Sequence, residues 1–312
     1  MRGAIIGEGE GGLEELLPAL KAAGLEPVCA CGLAAGARGL RLWPDAGELL
    51  SREELLDFAV VRGRPEGRYR AALAALENRL HVVCEPPFCS SSTEFETLRE
   101  AAAGRGLTLG VLQPWERTAA WQALQQALDG GLLGRVIWGQ AQVLAAGPAP
   151  AGGVTASEGW RAFAALLAAV RLPPRALSAR LSPVPGKGAP PADGTASVQV
   201  HFDGADGSAH LACGAHSRRF RVEAVGGKGR ALLDGNSLTL DVEGLGTRTH
   251  EFKDGLAGPD DAARLAGELS DFAKEARGEV PAGTCLRNAR YCVKLLKNSY
   301  YSAAVRSAAV PL

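Results

Sequence analysis

Hydrophobic residues in the first third of the chain form short apolar runs separated by amphipathic stretches. The apolar runs predict buried strands at residues 3–7, 27–31, 58–61, 81–84 and 108–112. Between them, apolar positions recur every three or four residues and predict helices at residues 13–23, 52–56, 69–77 and 92–103. Alternation of this kind is typical of a doubly wound parallel sheet. The pattern therefore predicts an α/β first domain.

The pattern changes after residue 114. Residues 119–130 predict a helix, residues 135–143 a strand and residues 159–170 a further helix. From residue 176 onward apolar and polar side chains alternate, which predicts an antiparallel sheet of six or seven strands with one buried face. Its predicted strands are residues 177–181, 196–202, 207–213, 218–225, 228–233, 237–242 and 247–252. Two helices, predicted at residues 260–277 and 284–305, close the chain.

A glycine-rich turn joins the first predicted strand to the first predicted helix, with Gly7, Gly9 and Gly12 in Gly-x-Gly-x-x-Gly spacing. In a dinucleotide site the first glycine allows the tight turn, the second lets the backbone approach a pyrophosphate, and the third lets helix and strand pack closely. The order predicts an NAD or NADP site. Two acids inside this turn, Glu8 and Glu10, would repel a phosphate unless they point to solvent.

Two domains follow from these patterns. Residues 1–115 are predicted to form a Rossmann-type dinucleotide-binding domain with a doubly wound parallel sheet. Residues 116–312 are predicted to form an α+β domain for substrate binding and dimerisation, with a large, mostly antiparallel open sheet. Whether the last helix packs back on the first domain stays open.

Composition excludes several classes of partner. With 34 basic and 34 acidic residues the net charge is zero, so neither nucleic acid nor a membrane surface is indicated as a partner. The 7 cysteines form no C-x-x-C pair and are expected to be buried free thiols in a reducing cytoplasm. The histidines match no metal-binding spacing, so no metal site is predicted.

Four segments together carry a family resemblance. They are residues 71–88, 124–136, 220–234 and 288–312, in that order along the chain. They resemble the corresponding segments of the Gfo/Idh/MocA family, the relatives of glucose-fructose oxidoreductase and inositol dehydrogenase. The resemblance implies NAD(P)-dependent hydride transfer at a carbon bearing a hydroxyl or imine, usually on a small sugar-like ring. Members of the family commonly pair through the sheet of the second domain, which implies a homodimer.

The chain departs from that family at both usual catalytic positions. Typical members use the lysine of Glu-Lys-Pro, whereas this chain has Glu85-Pro86-Pro87, and no lysine occurs between Lys21 and Lys187. The family's catalytic histidine lies in a helix that matches residues 159–170, which contain neither His nor Asp. The resemblance is therefore to a degenerate member.

Other polar residues are candidates for the site. The second strand lacks the acid that normally binds the ribose of NAD; Arg38 and Arg41 follow instead and are candidates for a 2′-phosphate, with exposed surface arginines as the alternative. The catalytic residues stay unassigned. Candidates are Tyr69, Glu116 and Arg117 for catalysis, Glu85 and Arg38 beside the glycines for the cofactor, and Arg64, Arg68 and Trp115 for the substrate.

Two classes of function remain open. One is an oxidoreductase with atypical, weak or absent hydride transfer on a small-molecule substrate. The other is a non-catalytic scaffold or regulatory partner. For assembly, a monomer and a heteromer with an active relative stay open beside the homodimer.

Overall fold

The computed structural model describes residues 1–7, 13–32, 39–148, 152–183, 192–256 and 261–312. Within these residues the helices, numbered along the chain, are α1 (Leu13–Ala22), α2 (Ala46–Arg52), α3 (Pro65–Glu77), α4 (Ser92–Ala103), α5 (Ala119–Asp129), α6 (Val154–Val170), α7 (Ala262–Ala276) and α8 (Ala289–Ala304). The strands are β1 (Arg2–Ile6), β2 (Glu26–Cys31), β3 (Arg41–Trp43), β4 (Phe58–Val61), β5 (His81–Cys84), β6 (Leu109–Val111), β7 (Val136–Ala146), β8 (Pro174–Pro183), β9 (Asp193–Phe202), β10 (Ala205–Ala215), β11 (Arg219–Gly226), β12 (Gly229–Asp234), β13 (Ser237–Val242), β14 (Gly246–Glu251) and β15 (Val310–Pro311).

The chain divides into two compact units. The first comprises Met1–Arg117 and Asp260–Arg290, and the second comprises Thr118–Pro259 and Tyr291–Leu312. The first unit thus takes in α7, which follows β14 in sequence. Most of α8 belongs to the second unit.

The first unit is built on a six-stranded parallel sheet. Its strand order is β3-β2-β1-β4-β5-β6, and every neighbouring pair is parallel. All four residues of β4 are buried, as expected for a strand covered on both faces. In its core, Leu20 of α1 and Phe272 of α7 join the same apolar cluster as Ile5 and Phe58. The predicted doubly wound α/β fold is confirmed for this unit.

The structure changes one helix and adds one strand to the predicted first unit. The helix predicted at residues 52–56 is wrong, because α2 begins at Ala46 and ends at Arg52. Asp45 caps it, since the carboxylate accepts a hydrogen bond of 2.9 Å from the backbone N–H of Glu48. The edge strand β3 was not predicted, because its three residues carry no apolar run.

The second unit is built on a nine-stranded sheet in the order β14-β13-β12-β11-β7-β10-β9-β8-β15. Only the β7–β10 pair is parallel among the pairs in the described residues, so the predicted, mostly antiparallel sheet is confirmed. The strand count is higher than the six or seven expected from residue 176 onward. The increase comes from β7 at the centre and from the two-residue edge strand β15.

Helix α6 packs across the middle of this sheet. It begins at Val154, five residues before the predicted start, and it is apolar on nearly all sides. Trp160 and Phe163 are fully buried. At its first turn, Asp193 of β9 accepts hydrogen bonds from the backbone N–H and the hydroxyl of Thr155, at 2.9 and 2.6 Å. Within the described residues no helix is long and apolar enough to cross a membrane.

Candidate functional site

The candidate site lies at the carboxyl edge of the parallel sheet in the first unit. The strand order reverses between β1 and β4, which are neighbours in the sheet. In open α/β sheets, ligands bind in the crevice outside the carboxyl ends of the strands at such a reversal. Gly7 follows β1, Arg62 follows β4 and Glu85 follows β5, so the three residues lie along one edge.

Gly7 shows why glycine is required at the end of β1. Its φ angle is +140°, a region that side-chain-bearing residues avoid. A Cβ atom at this position would lie 1.9 Å from the backbone oxygen of Arg62. The backbone of Gly7 therefore packs directly against the backbone of Arg62 at the end of β4. Such a tight turn is the role of the first glycine in a dinucleotide site. The other predicted turn residues, Gly9 and Gly12, lie outside the described residues, as does Arg38.

Glu85 is the central acid of this edge. One carboxylate oxygen, Oε2, accepts hydrogen bonds from the backbone N–H of Gly63 at 3.2 Å and from Arg68 at 3.1 Å. The other oxygen, Oε1, lies 3.6 Å from Nε of Arg62. The carboxylate is thus compensated by two guanidinium groups and a backbone dipole. It joins the ends of β4 and β5.

Arg68 is a buried clamp on the segment that follows β5. Its Nη1 donates to the backbone oxygens of Glu85, Pro86 and Pro87 at 3.3, 2.7 and 3.1 Å. Its Nη2 donates to the backbone oxygen of Gly63 as well as to Glu85. Burial lowers the pKa of Arg68, and the Glu85 carboxylate opposes that shift. Arg68, predicted from the sequence as a substrate contact, therefore donates these hydrogen bonds to oxygen atoms of the protein itself.

Two further candidates lie on the same helix as Arg68. Arg64 occupies the exposed N-cap position of α3, directly before Pro65. Tyr69 is half-buried and follows Arg68 by one residue, so its side chain leaves the helix about 100° away from the clamp. The structure places both in the segment after β4, near the edge predicted from the sequence.

Glu116, in the segment after β6, forms a partly buried acidic pair with Glu268 of α7. Glu116 accepts a hydrogen bond of 3.0 Å from the side chain of Gln113, and Glu268 of α7 lies close enough for its charge to act on Glu116. Burial raises the pKa of Glu116 to about 8, Glu268 adds to the shift, and Arg287 and Arg117 oppose it. Burial likewise raises the pKa of Glu268. At neutral pH Glu116 is therefore mostly a protonated carboxyl group.

Arg117 and Trp115 are held by packing within the first unit. Nε of Arg117 donates to Glu268 at 2.8 Å, and Nη2 pairs with Asp271, also of α7. Trp115 is almost fully buried in the short 3₁₀ helix Pro114–Arg117. Sequence reasoning missed Glu268 as the partner of this segment, because about 150 residues separate it from Arg117 and no local signal joins them.

A second cluster that sequence reasoning missed lies on β3 and α2. Glu53 accepts hydrogen bonds from Trp43 Nε1 at 2.8 Å and from Arg41 at 3.1 Å. The available signal was Asp45 with Glu48 three residues later, a pattern typical of a helix start. Among the described residues no group of three or more His, Cys, Asp or Glu side chains is arranged to hold a metal ion.

Comparison with known proteins assigns a family to the first part of the chain. Residues 1–113 match the Gfo/Idh/MocA family model, described as an oxidoreductase family with an NAD-binding Rossmann fold. These residues are thus similar to the NAD-binding Rossmann domain of an oxidoreductase family. This match, which covers residues 1–113 of the 312-residue chain, agrees with the family resemblance predicted from the sequence.

Solved structures extend the likeness of fold to the whole chain. An oxidoreductase from Agrobacterium radiobacter in complex with NAD⁺, L-tartaric acid and magnesium has a TM-score of 0.82 at 15% identity and covers 100% of this chain and 98% of its own. An oxidoreductase from Pseudomonas syringae has a TM-score of 0.83 at 18% identity, with the same coverage. The WlbA dehydrogenase from Bordetella pertussis, in complex with NADH and UDP-GlcNAcA, has a TM-score of 0.80 at 20% identity and again covers 100% and 98%. At these identities the likeness shows the fold.

Proposed function

We propose that the first unit binds a nicotinamide dinucleotide, NAD or NADP, at the carboxyl edge of its parallel sheet. Three observations support this. The matched family model is an NAD-binding Rossmann fold, the strand order reverses between β1 and β4, and Gly7 has the conformation and close packing of a first turn glycine. Glu85, a cofactor candidate from the sequence, belongs to the same edge. A small-molecule substrate is proposed to bind beside the cofactor.

We further propose that hydride transfer by this protein is atypical, weak or absent. A bound nicotinamide exchanges the hydride, and the protein has to supply a positioned proton donor. The carrying observation is the environment of Pro86, the residue at the family's lysine position. The cation that contacts Pro86 directly is Arg68, which donates to four backbone oxygens and one carboxylate oxygen. A guanidinium stays protonated at neutral pH, so Arg68 does not replace the lysine as a proton donor.

Of the catalytic candidates, Glu116 is the best remaining source of a proton. Its raised pKa of about 8 keeps the carboxyl protonated at neutral pH. Arg117 donates to Glu268 and Asp271 and stays charged. Tyr69 remains a candidate on its position alone. We propose Glu116 as the donor for whatever slow turnover the protein retains.

Nucleotide binding and turnover test the two parts of this proposal separately. NADH and NADPH are titrated into the purified protein, and the nicotinamide fluorescence is followed. We expect saturable binding of at least one nucleotide. Turnover of myo-inositol and glucose with NAD⁺ and NADP⁺ is expected to be negligible. Absence of binding at millimolar nucleotide would reject the cofactor proposal, and robust turnover of either sugar would reject the catalytic one.

A non-catalytic scaffold is the second candidate function, and the sheet of the second unit favours it. Position 139 of β7 faces α6, because a Cβ there would meet Val170 and Leu166. Side chains at alternate positions, such as Gln140, therefore point to the other face. On that face Glu223 pairs in register with Gln140, is almost fully buried and binds Arg221 at 2.9 Å and also Arg230.

The face of the nine-stranded sheet opposite α6 is called the open face here. We propose that two copies of the chain pair through this open face, and the sequence resemblance also implies a homodimer. A stable interface of this kind buries more than about 1,000 Å². An active relative that pairs through the same face is the alternative partner. We place the protein in the cytoplasm, because all seven cysteines are free thiols.

Light scattering tests the pairing. At micromolar concentration we expect twice the 32.3 kDa of one chain. Gln142→Arg on the open face should shift the mass toward one chain, since like charges then meet across a two-fold axis. Gln126→Arg on the exposed side of α5 is the matched control and should leave the mass unchanged. A wild-type mass of one chain would contradict the homodimer and favour a separate partner.

A further inference from the structure

The end of β2 lacks the residue that usually chooses between NAD and NADP. In Rossmann domains an acid close to this strand end accepts a hydrogen bond from the adenosine ribose and disfavours the 2′-phosphate of NADP. Here the strand ends at Cys31 and continues with Gly32. Neither residue carries an acid.

The structure brings a different acid to this place through the unpredicted strand β3. Cys31 and Trp43 pair in register at the carboxyl ends of β2 and β3. Asp45 follows Trp43 by two residues and is exposed. Its Oδ1 accepts the capping hydrogen bond from Glu48 at 2.9 Å, which leaves Oδ2 for a second donor.

Contacts of Cys31 show that Asp45 and Gly7 both lie close to this residue. Burial raises the pKa of the Cys31 thiol to about 11, the backbone N–H of Gly7 opposes the shift by a hydrogen bond, and the Asp45 carboxylate adds to it. The backbone N–H of Gly7 also donates to the backbone oxygen of Cys31 at 3.3 Å. Gly7, Cys31 and Asp45 are therefore neighbours at the edge where the adenosine half of a dinucleotide would lie.

The arginine available on β3 is engaged away from this edge. Arg41 stands at the start of β3, two residues before its carboxyl end, and pairs with Glu53 at 3.1 Å. That carboxylate is itself fixed by Trp43 Nε1 at 2.8 Å. Arg41 is thus turned toward Glu53, which lies just beyond the end of α2. Among the residues that the structure describes, the charge that acts on Cys31 is the negative charge of Asp45.

We propose that Asp45 accepts a hydrogen bond from the adenosine ribose and makes the site selective for NAD over NADP. The inference rests on the proposed dinucleotide site and deepens it. A carboxylate in this place gains a ribose hydroxyl as donor with NAD. With NADP it faces the 2′-phosphate as a like charge.

The test compares NADH and NADPH binding to the full chain by fluorescence titration. Wild type should bind NADH at least about tenfold more tightly than NADPH. Asp45→Asn removes the charge and keeps the cap, since Asn and Asp cap helices equally well. It should reduce the NADH preference by about tenfold, mainly through tighter NADPH binding. Glu54→Gln is the matched control, an exposed acid beyond the other end of α2 that should leave the preference unchanged.

The outcomes separate the inference from the proposal beneath it. If both nucleotides bind and wild type shows no preference for NADH, the role of Asp45 is refuted. The same holds if Asp45→Asn keeps the wild-type ratio, or if Glu54→Gln changes the ratio as much as Asp45→Asn does. If neither nucleotide binds to any variant, the dinucleotide site itself is refuted, and the selectivity with it. An unchanged melting temperature of Asp45→Asn verifies that the cap is retained.

Discussion

Replacing Arg68 by methionine should destabilise the first unit by about 3 kcal/mol. The guanidinium makes five hydrogen bonds, but three of them share Nη1 and count as little more than one. With the bond to Glu85 counted separately as an ion pair, two effective bonds from a charged donor remain, and they contribute roughly 3 to 6 kcal/mol. Removing one partner of a buried ion pair and leaving the other unpaired lowers the free energy of unfolding by about 3 to 5 kcal/mol. Because the Glu85 side chain is 32% exposed, water recovers part of its loss, and the lower end applies.

Urea denaturation measures this change, and hydrogen exchange at the backbone amides of residues 62–64, 66–68, 85 and 88 assigns the transition to the first unit. The two units need not unfold together, so the assignment is required. Arg70→Met is the matched control, because Arg70 is an exposed residue of the same helix and Met has a similar helix propensity. It should change stability by less than about 0.5 kcal/mol. Equal stability of Arg68→Met and Arg70→Met would refute the clamp.

Three further substitutions probe other parts of the structure. The pKa of Glu116 is raised to about 8, so the folded first unit keeps a proton that the unfolded chain releases above the ordinary pKa of 4.5, and stability falls as the pH rises from about 5 to 8. Glu116→Gln should flatten this dependence of stability on pH in urea titrations across that range. An unchanged slope would contradict the pKa shift. Thr155→Val should lower the stability of the second unit by about 2 kcal/mol in urea denaturation, because the buried Asp193 loses a hydroxyl donor; a change below about 0.5 kcal/mol would count against that bond. Gly7→Ala should destabilise the first unit by more than about 2 kcal/mol or abolish NADH binding, since its Cβ meets the Arg62 oxygen; wild-type values for both would show that the turn relaxes freely.

The sequence was sufficient for those parts of the fold that depend on local patterns. β4 is a run of four buried apolar residues, and such a run reads as a parallel strand without any tertiary information. β3 is the opposite case. Two of its three residues are exposed, and it is ordered by pairing with β2 and by Glu53, which closes on Trp43 from beyond α2. A pattern of apolar positions does not predict a strand that is stabilised by pairing with a neighbouring strand and by a distant side chain.

The same distinction separates the predicted from the unpredicted parts of the site. Gly7 and Glu85 could be placed because strand ends in a parallel sheet share an edge. The role of Arg68 could not be predicted, because an arginine directly before a predicted helix looks the same in sequence whether it faces water or backbone oxygens. Likewise, an amphipathic pattern at residues 260–277 predicts a helix but does not say which sheet it covers. Only the fold brings Glu268 to Arg117.

Calorimetric titration of NADH into the purified full chain tests the central claim most directly, that the first unit is a working dinucleotide site despite the loss of the usual lysine. We predict saturable binding of one NADH per chain with a dissociation constant below about 1 mM, that is, a binding free energy beyond about −4 kcal/mol. The heat capacity change should be negative, since binding buries apolar surface. No measurable heat and no saturation at millimolar NADH, with the chain shown to be folded, would contradict the account.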